Sequence, residues 1–123
     1  MTQTASVKLR RALRLAGMRP LPRPRPRTVE LRGKRILLTG ASSGIGEALA
    51  PMLAERGATV GIAARRPDRL EATLARCQEH APESRMWAVD LSDVDAAVRL
   101  VDDAWDAFGG IDCLVNNAAI GKR

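Results

Sequence analysis

The stretch KRILLTGASSGIG, Lys34 to Gly46, constrains the fold more than any other part of the chain. A short apolar run ends at Gly40, a polar turn follows, and a helix-like segment begins at Gly44. An apolar run this short, bounded by glycine, suits a buried strand. Gly40, Gly44 and Gly46 then stand in a strand-to-helix turn. Glycines there let the backbone turn tightly and approach a phosphate with no Cβ in the way. The helix that follows offers unpaired N–H groups and the positive end of its dipole. With a strand before it and a helix after it, the spacing reads as a dinucleotide-binding turn rather than an ordinary loop. Ser42 and Ser43 can donate hydroxyl hydrogen bonds to the same phosphates.

The remaining chain alternates in the same way. GIGEALAPMLAERGA reads as a helix with Ile45, Ala48, Leu49, Met52 and Leu53 on one face and Gly57 as its stop. Pro51 lies inside it and removes a backbone hydrogen bond, which predicts a bend. TVGIAA, Thr59 to Ala64, is a second strand, and a helix follows with Pro67 in its first turn. RMWAV is a third strand. Ser92 is the expected cap of the next helix, with Asp95 three residues on. Val94, Val98, Val101, Trp105 and Phe108 give that helix its period, and Gly109 ends it. DCLVNN is a fourth strand. Strands alternating with helices imply a parallel sheet covered on its faces. The expected fold is a Rossmann-type, doubly wound α/β sheet in the order 3-2-1-4, stopping after its fourth strand. A flavodoxin-like order is the alternative.

Charge divides the chain in two. The net charge is +6, yet residues 1–35 hold eleven Lys/Arg and a single acid, Glu30. Residues 36–123 hold nine Lys/Arg against thirteen Asp/Glu. A basic arm over residues 1–28 therefore precedes a mildly acidic body over 29–123. The arm predicts a helix from Ala5 to Ala16, with Ala5, Leu9, Ala12, Leu13 and Ala16 on one face and Arg10, Arg11 and Arg14 on the other; Val7 and Leu15 break the pattern. Pro20, Pro22, Pro24 and Pro26 then forbid helix and favour an extended strut. The arm is read as a flexible, solvated extension, with weak contact to an anionic membrane surface or an organelle address as the functional alternatives. It has no aromatic residue for base stacking, so no nucleic-acid partner is expected. No run of about 18 apolar residues is present to span a bilayer. Cys77 and Cys113 read as reduced, mostly packed thiols. With His80 the only histidine, no metal site is expected.

In a sheet of this kind ligands lie beyond the carboxyl ends of the strands. After the second strand comes AARRP. A site for NAD commonly has an acid here, holding the adenine ribose; this chain has Ala64, then Arg65 and Arg66. A guanidinium binds a 2′-phosphate that an acid would repel, so NADP(H) is favoured over NAD(H). Arg66 is the weaker candidate. After the third strand, Asp90 can accept from an adenine amino group, though it also suits a helix-opening turn. After the fourth, Asn116 and Asn117 can tie strand ends together, and Ala118 and Ala119 leave room for a ribose.

These sites together resemble the short-chain dehydrogenase/reductase family: TGxxxGxG at Thr39–Gly46, the pair Asp90-Leu91, and Asn116-Asn117-Ala118. The resemblance covers residues 29–123. It implies hydride transfer between a nicotinamide and a carbonyl or alcohol carbon. It further implies phosphate contacts at Gly40, Ser42, Ile45 and Gly46, a 2′-phosphate contact at Arg65, adenine framed by Asp90 and Leu91, and ribose by Asn117 and Ala118. Ala119 departs from the family's usual glycine. The family's catalytic Ser, Tyr and Lys follow the NNAG strand, and this chain has no tyrosine. The expectation is the cofactor-binding half of a cytoplasmic, homo-oligomeric oxidoreductase, with no catalytic residue of its own. A non-catalytic dinucleotide-binding module completed by a partner chain is the alternative.

Overall fold

The computed structural model describes residues 5–18 and 28–118. The elements run α1 (Ala5–Leu15), β1 (Arg35–Thr39), α2 (Gly44–Glu55), β2 (Thr59–Ala64), α3 (Pro67–Gln78), β3 (Arg85–Ala88), α4 (Val94–Phe108) and β4 (Cys113–Asn116). The four strands form one parallel sheet in the order β3-β2-β1-β4. This is the expected 3-2-1-4 order, not the flavodoxin-like one. The alternating-proline segment and Ala119 lie outside the described residues.

Successive side chains of a strand point to opposite faces, and helices pack on both faces of the central strands β1 and β2. Ile36 and Leu38 of β1, with Val60, Ile62 and Ala64 of β2, pack against Ala50 and Ala54 of α2 and Leu70 and Cys77 of α3. Leu37 and Ala63 point the other way, against Leu100 and Ala104 of α4. Leu37, Leu38 and Ile62 are almost fully buried, and each contributes about 1.5–3 kcal/mol relative to an exposed side chain.

Three local readings of the helices change. The buried stripe of α2 is Gly46, Ala50 and Ala54, with Leu49 and Leu53 half-buried beside it; Ile45, Ala48 and Met52 face solvent. The small residues let the helix lie close to the sheet. The buried stripe of α4 is likewise Leu100 and Ala104, while Val94, Val98, Val101 and Trp105 are exposed. Of the periodic set named above only Phe108 turns inward, meeting Trp87 edge-on at 5.8 Å. The cap of α4 is Asp93, not Ser92. Its carboxylate accepts from the N–H groups of Asp95 and Ala96 at 3.0 and 3.2 Å. Ser92 is occupied elsewhere, donating to Asp90.

Helix α2 runs unbroken through Pro51. Cys77 is packed, and burial pushes its thiol up to about 11; Cys113, in contrast to the expectation, is exposed on β4. No helix among the described residues is long and apolar enough to cross a membrane.

The amino ends of β1 and β4 are clamped by one ion pair. Asp112 accepts from the Arg35 backbone N–H at 2.8 Å, from Nε at 3.0 Å and from Nη2 at 3.2 Å. Arg35 Nη1 donates to the Gly109 carbonyl at 2.8 Å, tying in the left-handed end of α4. The Arg35 hydrogen bonds hold the Asp112 carboxyl down at about 2, against an ordinary 3.8. The fold therefore prefers the ionised form. That contribution is complete above the ordinary value and fades as the pH falls toward about 2. Thermal unfolding across this acid window should show a shallower loss of stability in Asp112→Asn than in the parent. An identical acid limb in both would contradict the role given to Asp112.

Candidate functional site

Because all four strands are parallel, their carboxyl ends lie along one edge of the sheet. The strand order places, in sequence along that edge, Asp90 after β3, Arg65 after β2, Gly40 after β1 and Asn117 after β4. Neighbouring strands are about 4.8 Å apart, so the row spans about 14 Å, enough for an extended ligand.

The centre of the row is a tight joint. Gly40 has φ +72°, and a Cβ on it would sit 2.9 Å from the Ala118 backbone. A Cβ on Gly46 would collide with the Gly40 carbonyl oxygen and lie 2.7 Å from Asn117 Nδ2. Glycine is therefore required at both positions by the protein's own backbone. Asn117 Nδ2 donates to the Gly40 carbonyl at 3.3 Å. The joint also uses Thr39, which opens the glycine motif but has no task that the sequence alone assigns. Its buried hydroxyl accepts from the N–H groups of Asn117 and Ala118 at 3.2 and 3.3 Å. It donates toward Asn116 Oδ1 at 3.2 Å. One hydroxyl thus fixes the turn that leaves β4 against the end of β1. The strand ends are tied by both asparagines, as anticipated, and by the threonine between them.

Above this joint the start of α2 is left open. Ser43 occupies the N-cap position with extended backbone but makes no side-chain cap. The first N–H groups of a helix have no partner within it, so they remain available as donors. The contrast with α4 is direct, since Asp93 closes that helix with its own carboxylate. Gly44 has φ +58°, and a Cβ on it would meet nothing within 4 Å, so the space over the turn is clear. Ser42 is half-buried; Ser43 and Ile45 are exposed beside it. Uncapped donors, a positive dipole end and clear space fit a bound phosphate.

One strand away, after β2, Arg65 and Arg66 are both exposed, Arg66 at the N-cap of α3. No acid follows β2 directly. Asp90 Oδ1 accepts from the Ser92 hydroxyl at 2.7 Å and the Ser92 N–H at 3.0 Å. Those bonds, with a smaller attraction from Arg65, hold its carboxyl below the usual carboxylate value. Asp90 is therefore both a turn residue and an exposed acceptor. Leu91 is half-buried against the α4-side core. Among the described residues no cluster of three His, Cys, Asp or Glu could hold a metal ion.

Residues 34–123 match the family model described as short chain dehydrogenase. A fatty acyl-CoA reductase of Mycobacterium tuberculosis is 45% identical over 111 residues, covering 85% of this chain and 38% of the relative. The 11-beta-hydroxysteroid dehydrogenase 1A of Arabidopsis thaliana is 46% identical over 91 residues, covering 73% of this chain and 26% of that protein. The solved structure of an NAD+-bound xylitol dehydrogenase superposes with a TM-score of 0.71 at 35% identity, over 75% of this chain and 35% of that one. The chain belongs to the short-chain dehydrogenase family, and it spans less than two fifths of the length of these relatives.

The joint makes its own prediction. Thr39→Val leaves two backbone N–H groups without their acceptor and should lower stability by about 1–3 kcal/mol. Thr39→Ser, which keeps the hydroxyl, should retain most of it. Urea unfolding of the three proteins checks this, and equal losses for valine and serine would contradict it.

Proposed function

We propose that this member of the short-chain dehydrogenase family is the cofactor-binding part of an NADP(H)-dependent oxidoreductase. The full protein would transfer hydride between the nicotinamide and a carbonyl or alcohol carbon. In this reading the arm, residues 1–28, and the body, residues 29–123, are separate units.

The pyrophosphate lies over the open start of α2, held by N–H groups of the Gly40–Gly46 turn with the hydroxyls of Ser42 and Ser43 beside it. Gly44 and Ile45 form the rim. Asp90 accepts from the adenine amino group and Leu91 backs the ring. Asn117, Ala118 and Ala119 flank the ribose next to the nicotinamide. When bound, the dinucleotide supplies or takes up the hydride. This chain's residues bind and orient it.

The observation that carries the choice of NADP(H) is the sequence Ala64-Arg65-Arg66 at the end of β2, where both arginines are exposed and no carboxylate follows the strand directly. Arg65 takes the 2′-phosphate and Arg66 assists. The relative of solved structure is bound to NAD+, so the preference rests on these residues rather than on likeness. The names of the matched relatives, an acyl-CoA reductase and a hydroxysteroid dehydrogenase, support a substrate with a large apolar part. The chain contains no tyrosine. The proton transfer that accompanies hydride transfer, carried by a tyrosine in the family, therefore needs groups beyond these 123 residues. By itself the chain binds cofactor without turnover. The exposed stripe Val94, Val98, Val101 and Trp105 on α4, with Leu114 on β4, supports burial of that side by further chain or by a second copy in a cytoplasmic homo-oligomer.

Arg65→Ala should weaken NADPH by about 10- to 100-fold, the worth of a charge-assisted hydrogen-bond pair, and leave NADH nearly unchanged. Titration of the nicotinamide fluorescence with each cofactor reads this. Equal weakening of both would overturn the 2′-phosphate role.

A further inference from the structure

Helix α1 is set apart from the cofactor body. It makes no substantial contact with any other described element, and its apolar side chains Leu9 and Leu15 are 60% and 84% exposed. Leu9 shares a face with Ala12, Leu13 and Ala16. Lys8, Arg11 and Arg14 are exposed around the rest of the helix. The helix contains no acid, and none occurs before Glu30. Its cations are therefore not neutralised by their own segment.

We propose that α1 docks on the headgroup layer of an anionic lipid bilayer, lying in the plane of the surface. Three observations favour this partner. The helix has 11 residues, about 16 Å of length, too short to cross a hydrocarbon core of about 30 Å. An apolar face opposite most of the cations, its pattern interrupted by Val7 and Leu15 on the cationic side, on a helix of low overall hydrophobicity suits an in-plane position, with Leu9 and Leu13 turned toward the acyl boundary and the lysine and arginines among the phosphates. The charge is also complementary in only one place. Residues 36–123 carry nine Lys/Arg against thirteen Asp/Glu, so an anionic surface attracts the arm and repels the bulk of the body. The contact would hold the protein at the membrane while its cofactor edge stays in water. A nucleic acid offers similar charge, but the arm has no aromatic residue for bases to stack on.

Sedimentation of the full chain with vesicles tests the proposal. One set is phosphatidylcholine alone; the other is an equal mixture of phosphatidylcholine and phosphatidylglycerol. The chain should pellet with the mixture only, and be released at about 1 M salt, where charges are screened beyond about 3 Å. The triple variant Lys8→Glu, Arg11→Glu, Arg14→Glu should bind the mixture at least about 100-fold more weakly, since each cation near an anionic leaflet is worth about 5-fold in binding. Leu9→Ser should cost about 10-fold through lost apolar insertion. Neither variant should alter NADPH binding, because α1 does not adjoin the cofactor edge. Equal binding to both vesicle types, no binding to the mixture, or tighter binding to a DNA or RNA duplex at the same salt would each overturn the proposal.

Discussion

The close approach of the β1–α2 turn to the end of β4 is the constraint from which the rest of the site follows. Gly46 packs against the Gly40 carbonyl, Gly40 packs against Ala118, and the Thr39 hydroxyl holds the backbone of Asn117 and Ala118. None of these contacts leaves room for a side chain at either glycine. The joint brings α2 down onto the sheet, so that its uncapped first turn faces the gap at the strand ends. The same joint fixes β4 beside β1. At the opposite end of these strands Arg35 and Asp112 do the corresponding work. The two strands are thus pinned at both ends, and the polar residues that follow them are placed by the sheet rather than by loop conformation.

Much of this was legible in the sequence because it is local. The strand–glycine turn–helix unit and the alternation of elements follow from periodicity and turn residues, while crossover handedness narrows the strand order to 3-2-1-4 or a flavodoxin-like alternative. The buried faces of the two sheet-packing helices differ from the hydrophobic reading for one physical reason. Helix α4 carries two apolar stripes, one of valines and Trp105 and one of alanines with Leu100. Hydrophobicity points to the first, but the second is small enough to let the helix settle on the sheet. Helix α2 likewise buries its small residues, Gly46, Ala50 and Ala54, rather than its most hydrophobic stripe. At Ser92 and Asp93 two good capping residues stand side by side, and only the bond from Ser92 to Asp90 decides which one caps. The Thr39 joint and the Arg35–Asp112 pair join residues 76 to 79 positions apart, and no local signal announces such partners.

The electrostatics of the edge follow from the same arrangement. Donors are concentrated where phosphates would lie: the open helix start in the centre, and two exposed arginines one strand away. The acceptors, Asp90 and the asparagine side chains, lie toward the two ends of the row. This distribution suits a ligand with charged phosphates at its middle and hydrogen-bonding groups at both ends. The basic arm obeys a separate logic, since its charge is not shared with the body.

The most direct test of the cofactor edge is a residue-resolved one. Amide resonances of the isotopically labelled chain, followed during titration with NADPH, report where the dinucleotide sits. The largest changes should fall at Gly44, Ile45, Gly46, Arg65, Asp90 and Asn117, with little change at Asp112 or along the outward side of α4. Changes centred on those remote positions, or none at saturating NADPH, would contradict it.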